Sequence, residues 1–150
     1  MLSSNELAKV LRDNGCKVTP QRLAVYEMLA HTKEHPTAEM IYDKVKDKYT
    51  TMSFATVYKS VEIFSKLGIV QVLNTGEESY RYDANVMEHP HIRCTKCGKV
   101  FDVPHIEAKQ IEDMVSKQTG FDVNGHQFYF YGVCLNASGK HNPSCKNTEL

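Results

Sequence analysis

Apolar positions in the first half of the chain recur with helical spacing. Leu7, Val10 and Leu11 share one face of a segment that Ser4 is placed to cap. Thr19-Pro20 predicts the next helix start, because proline at the first helical position has no amide to leave unsatisfied. Leu23, Tyr26 and Leu29 form its inward face. A third helix opens at Pro36-Thr37, with Ile41 and Val45 inward. In a fourth, capped by Ser53, the apolar residues Phe54, Val57, Val61 and Phe64 recur at i, i+3, i+7 and i+10, and Gly68 ends it. The period then changes to two. Ile69, Val70, Val72 and Leu73 lead into the turn residues Asn74-Thr75-Gly76-Glu77, and Ser79-Tyr80-Arg81-Tyr82 returns, which predicts a β-hairpin. Helices followed by a hairpin predict a winged helix-turn-helix, a fold that sets one helix into the major groove of DNA.

The second half follows a different pattern. His89–Arg93 and Lys99–Val103 predict strands on either side of a Cys-x-x-Cys turn, Pro104 predicts the start of a helix carrying Ile106, Ile111, Met114 and Val115, and Gln127–Val133 predicts a further strand. One helix on a small antiparallel sheet has little core of its own, so pairing with a second copy as a homodimer is expected. Asn136–Leu150 is polar and reads as loop. The fold class is thus α+β: an N-terminal winged helix-turn-helix domain over residues 1–83, then a small α/β dimerisation and metal-binding domain over 84–150.

Composition narrows the function. Hydrophobic residues make up 41% and charged residues 24%, ordinary values for a globular protein. No apolar run approaches the ~20 residues of a membrane span, so no membrane partner is expected. Met1–Glu6 lacks the basic start and apolar stretch of a signal peptide, which points to the cytoplasm, where cysteines stay reduced and tend to bind metal. Net charge is zero, with eleven basic and eleven acidic residues in 1–83 and seven of each beyond. Total charge therefore gives nucleic-acid binding no support, and that case rests on local placement.

Local placement offers a reading face. With Phe54, Val57, Val61 and Phe64 inward, the fourth helix turns Ala55, Thr56, Lys59 and Glu62 outward with Tyr58 at the flank; Ile63 also points outward, which a two-faced helix does not explain. Thr56 is suited to a thymine methyl, and Tyr58 and Lys59 to bases or phosphates. Lys17, Gln21 and Arg22 surround the start of the second helix, where amides and basic groups meet phosphate. A solvated helix face is the plain alternative.

The five cysteines are Cys16, Cys94, Cys97, Cys134 and Cys145. Cys94-Thr-Lys-Cys97-Gly98 has the form of a zinc knuckle: two thiolates two residues apart chelate one ion, and Gly98 relieves the turn. Cys134 and Cys145 are placed to close a tetrahedral, four-cysteine structural zinc site, although His141, near Cys145, competes for a ligand position. Cys16 reads as a small residue beside the first helix. His89 and His91, one residue apart, project from the same face of a strand. With Asp83, Asp102 and His35 they compose a mixed nitrogen and oxygen set suited to Fe2+, Mn2+ or Zn2+. If His35 joins, the metal fixes the angle between the two domains and hence the half-site spacing on DNA. The plainer alternative leaves only His89 and His91 near metal.

In this order, Val18-Thr19-Pro20-Gln21-Arg22, His35-Pro36-Thr37-Ala38, Ser53–Tyr58, His89–Gly98 and Tyr131-Gly132-Val133-Cys134 resemble the ferric uptake regulator family of bacterial repressors over residues 5–134. The resemblance implies a dimeric repressor on double-stranded operator DNA, with a four-cysteine zinc and a regulatory metal, Fe2+ or Mn2+. The chain looks most like the peroxide-sensing branch, whose regulatory ligands match His35, Asp83, His89, His91 and Asp102. Iron-uptake members carry Glu where Asp83 and Asp102 stand. In that branch Fe2+ and peroxide oxidise a ligand histidine, here His35 or His91, and the repressor leaves DNA. The family's second cysteine pair usually has short spacing, but position 137 is Ala. Glu107 and His126 partly match an additional metal site of some iron-uptake members, which Glu88 and Pro90 break; parity with Phe128 and Phe130 favours a packed His126.

The alternative within the class is an iron, manganese or zinc homeostasis repressor without peroxide chemistry. A zinc nucleobase deaminase would need His-x-Glu and Pro-Cys-x-x-Cys, and Arg93 precedes Cys94 here. With no Ser/His/Asp set and no phosphate loop either, no catalytic residues and no small organic substrate are expected. A zinc-stabilised protein-interaction module is the remaining class.

Overall fold

A computed structural model of the chain describes residues 1–104, 106–136 and 138–142. The chain divides into two compact units, Met1–Val86 and Met87–Leu150. Secondary structure is mixed helix and sheet, an α+β protein.

In the first unit, α1 (Ser4–Asp13), α2 (Pro20–Ala30), α3 (Ala38–Val45) and α4 (Phe54–Lys66) precede a hairpin of β1 (Gln71–Leu73) and β2 (Arg81–Asp83). Every helix start carries a side-chain cap. Thr19 accepts from the Arg22 amide, Thr37 from Met40 and Ser53 from Thr56, each meeting a donor with no partner inside the helix. For α1 the cap is Ser3 rather than Ser4, because Glu6 stands three residues after Ser3 and closes a reciprocal capping box with it.

The core gathers Leu7 and Leu11 from α1, Val25, Tyr26 and Leu29 from α2, Ile41 and Val45 from α3, and Val57, Val61 and Phe64 from α4. Tyr26 and Phe64 meet edge to face at 5.5 Å. Leu23 is only half-buried against this cluster. Phe54 departs from its expected place: it is 43% exposed at the first position of α4, and packs edge-on to Tyr42 and beside Tyr58 instead of entering the core. Ile63 has an explanation, since it is partly buried against the same cluster.

The hairpin pairs Gln71 with Asp83, Val72 with Tyr82 and Leu73 with Arg81. It is tied to the approach of α3, where the Tyr82 amide donates to the Pro36 carbonyl and Thr37 bridges to Arg81.

The second unit contains β3 (His91–Cys94), β4 (Val100–Asp102), α5 (Lys109–Thr119) and β5 (Tyr129–Gly132), in sheet order β4-β3-β5. β3 and β4 are antiparallel, but β5 runs parallel to β3, so the sheet is mixed and not antiparallel as expected. The chain between β3 and β5 holds a strand and a helix, long enough for the crossover that parallel pairing needs. β3 starts at His91 and not at His89, consistent with Pro90 having no amide to give to a ladder. The helix starts at Lys109, five residues after Pro104. Ala108 at its cap position has no side-chain acceptor, and Glu107 accepts from the Lys109 amide instead. Among the described residues α5 buries no side chain; Ile111, Met114 and Val115 are all exposed. No described helix is long and apolar enough to cross a membrane.

Candidate metal centres

Three sulfurs converge in the second unit. Cys94 ends β3, Cys97 closes the turn, and Cys134 follows β5. The turn is built by the Gly98 amide donating to the Cys94 carbonyl at 2.9 Å and the Cys94 amide to Lys99 at 2.9 Å. Gly98 sits at φ 72, a conformation that a Cβ would strain. Thr95 fixes the knuckle to β5, since its amide and its hydroxyl both donate to the Gly132 carbonyl. The Cys134 sulfur is then 3.4 Å from that of Cys94 and 3.9 Å from that of Cys97. These bracket the edge of roughly 3.7 Å that a tetrahedral zinc with ~2.3 Å Zn–S bonds gives.

Burial acts to raise the Cys94 thiol, but the backbone amides of Cys134, Cys97 and Lys96 and the Cys134 side chain outweigh it and bring the thiol down to about 5. Cys94 is a thiolate at neutral pH, the form a metal binds, and the cluster suits a structural zinc. Among the described residues, His141 completes a group of four that could hold a metal ion. Cys145 lies outside the described residues. Cys16 is half-buried beside the core of the first unit, as its plain reading held.

The residues of the regulatory set fall in both units. In the first, His35 and Asp83 form a buried pair, 2% and 9% exposed, with His35 Nε2 3.6 Å from Asp83 Oδ2. Asp83 is the last residue of β2. His35 has φ 47, the one non-glycine at positive φ among the described residues, and such strain is held only where the surroundings over-determine it.

The surroundings here include a residue that the sequence reading missed. Buried Arg81 donates through Nη1 to the His35 carbonyl at 3.1 Å, and its Nε and Nη2 grip the Glu77 carboxylate at 2.6 and 3.3 Å. The wing of the fold therefore holds the backbone that aims an imidazole. An arginine in a strand flanked by tyrosines gives no signal of this, and only the Glu77–Arg81 spacing across the turn hints at a pair.

In the second unit His89 and His91 stand with ring centroids 4.4 Å apart, despite His89 lying ahead of β3. Asp102, paired with His91 across the β3–β4 ladder, puts Oδ1 3.1 Å from His89 Nε2 and 3.7 Å from His91 Nε2. His89 Nδ1–H donates to the Met87 carbonyl at 2.7 Å, which leaves Nε2 as the donor atom for a metal. His91 is stacked on Tyr129. The chemistry is two imidazoles and a carboxylate within one small unit, a donor type that binds first-row divalent ions. His126 is not part of it: its two nitrogens lie 2.9 Å from Glu112 and 3.0 Å from Glu88.

The candidate DNA-reading residues lie in the first unit. Tyr58 and Lys59 are exposed on α4, and Thr56 is half-buried with its hydroxyl 2.8 Å from that of Ser53. Lys17 is exposed; Arg22 donates to the Lys17 carbonyl and Gln21 to the Thr51 hydroxyl, so both brace the loops around α2.

Four helices followed by a two-stranded wing in one unit, and a thiol cluster with an imidazole–carboxylate cluster in the other, define a metal-binding protein of the winged-helix class. The chain belongs to the ferric uptake regulator family, whose sequence profile matches residues 13–131. It is 37% identical over 137 residues to the peroxide operon regulator of Bacillus subtilis, covering 91% of this chain and 94% of that one. It is 40% identical over 124 residues to the peroxide-responsive repressor PerR of Staphylococcus epidermidis, covering 83% of each. Among solved structures it is similar to the ferric uptake regulator Fur of Helicobacter pylori, with a TM-score of 0.75, 26% identity and 87% of each chain covered. That regulator is described as having three functional metal-binding sites.

Arg81→Ala removes the hydrogen bond on His35 and the guanidinium that grips the half-buried Glu77 carboxylate. It is expected to lower unfolding stability by about 2–3 kcal/mol, read by urea denaturation of the metal-free chain. A change under about 0.5 kcal/mol, the range of a featureless surface site, would show that Arg81 does not hold the loop.

Proposed function

We propose that the chain is a metal-dependent, dimeric transcriptional repressor that senses peroxide, and that His35, Asp83, His89, His91 and Asp102 hold one regulatory Fe2+ or Mn2+. The observation that carries this reading is the division of donors: a buried imidazole–carboxylate pair in the first unit and two imidazoles with a carboxylate in the second. One ion that uses all five is bound fully only when the two units are held at one angle. Its binding free energy is then the coupling between metal and DNA, because a dimer reads two half-sites only at fixed spacing. Both carboxylates are Asp, as the resemblance to the peroxide-sensing branch requires, and relatives covered over most of their length are peroxide regulators.

Held by these residues, Fe2+ would supply the redox chemistry that opens the O–O bond of peroxide. The rings of His35 and His91 are the oxidisable groups held beside it. One peroxide oxygen ends on an imidazole carbon and the other leaves as water, so the ring loses two electrons and peroxide gains them. The altered ring no longer donates as before, the angle is released, and the repressor leaves its operator.

The DNA face is Thr56, Tyr58 and Lys59 on α4, with Lys17, Gln21 and Arg22 around the start of α2. Since the chain has no net charge, affinity depends on these few cations and on metal-set geometry. The exposed apolar face of α5, at Ile111, Met114 and Val115, is the surface a second copy covers.

Anaerobic loading with Fe2+ or Mn2+, a small dose of peroxide, and peptide mass spectrometry test the peroxide step. One added oxygen on His35 or His91 in the iron form alone is expected. No oxidation in either form, with both metals still supporting DNA binding, would leave a metal-homeostasis repressor instead. For the DNA face, Lys59→Ala is expected to weaken operator binding and to reduce the slope of log affinity against log salt by about 0.9. An unchanged slope would take Lys59 off the phosphate backbone.

A further inference from the structure

The zinc cluster of the second unit lacks a cysteine at position 137, where the family's short spacing would put its fourth sulfur; Ala stands there. The structure offers a different donor. After Cys134 the chain folds back on itself: Leu135 bridges to His141, the Asn136 amide donates to the Lys140 carbonyl at 2.8 Å, and the Gly139 amide to Asn136 at 2.9 Å. The Asn136 side chain holds the turn from inside, accepting from the Ser138 amide and hydroxyl and from the Lys140 amide. Gly139 takes φ 72, the left-handed position that closes a three-residue hairpin loop. The Asn142 amide then donates back to the Cys134 carbonyl at 2.8 Å.

This hairpin returns His141 to the side of the cysteine it left seven residues earlier. One donor atom each from Cys94, Cys97, Cys134 and His141 lies within 4.8 Å of the others. His141 Nε2 is buried and makes no hydrogen bond among the described residues. A buried imidazole nitrogen without a partner carries a desolvation cost unless something fills its lone pair, and the ring stands at the three sulfurs.

We infer that His141 is the fourth zinc ligand, so that the structural site is built of three cysteines and one histidine and Cys145 is not required for it. The inference rests on the reading of the cluster as a zinc site. The chemistry is balanced: three thiolates and a neutral imidazole give the zinc complex one negative charge instead of two. A tetrahedral set of three thiolates and one imidazole is an ordinary structural zinc site.

Zinc X-ray absorption on the full chain holding one zinc per protomer tests this directly. Three sulfurs near ~2.3 Å and one nitrogen near ~2.0 Å are expected. Cys145→Ser is expected to keep its zinc and its spectrum, while His141→Ala loses the nitrogen or the metal. Four sulfurs in the unaltered chain, or zinc lost from Cys145→Ser and kept by His141→Ala, would overturn the assignment of His141 and leave the zinc reading standing. Elemental analysis that finds no zinc in the purified chain would overturn both.

Discussion

Cys94, Cys97 and Cys134 impose the constraint on which the second unit depends. The Cys134 sulfur lies 3.4 Å from that of Cys94 and 3.9 Å from that of Cys97, close enough for one cation to gather all three. The unit has little else to close it. Its helix buries no described side chain, and its sheet has three short strands. A unit of this size has a small apolar core, to which a metal or a second copy of the chain would add. The same knuckle sets the register of β3 against β5 through Thr95 and Gly132, so the imidazoles at the other end of β3 inherit their position from the sulfur cluster.

The first unit is built differently, around an apolar core gathered from all four helices. What it adds is a buried imidazole–carboxylate pair, His35 and Asp83. His35 at positive φ is held by Arg81, and Arg81 by Glu77, so the turn of the wing and the approach to α3 are mechanically one piece. A winged-helix protein ordinarily uses its wing against DNA. Here the wing also supports the loop that carries His35, through Arg81 and through the bridge from Thr37.

Much of this was legible in the sequence where the deciding interactions are short in range. Thr19, Thr37 and Ser53 mark helix starts because a cap acts over three residues. Two adjacent serines blurred the first start, and only the position of Glu6 separates them. The Cys-x-x-Cys turn and the alternation of His89 and His91 are local in the same sense. What periodicity could not supply came from interactions that span the chain. The parallel direction of β5 follows from a crossover of more than thirty residues. Phe54 fits the apolar spacing of α4 but finds aromatic neighbours outside the core. His141 reaches the sulfur cluster only through a hairpin whose signals, Asn136 and Gly139, say that the chain turns and not where its far end arrives. Arg81 is buried in a strand because Glu77 and a carbonyl 46 residues away satisfy it.

The central claim is that one ion takes ligands from both units. Mn2+ titration followed by electron paramagnetic resonance, on the unaltered chain and on His35→Ala and His91→Ala, tests it most directly. The account predicts one tight Mn2+ per protomer, with the same signal weakened by either substitution. Tight binding that survives His35→Ala and is lost only with His91→Ala would confine the ion to the second unit and contradict the claim.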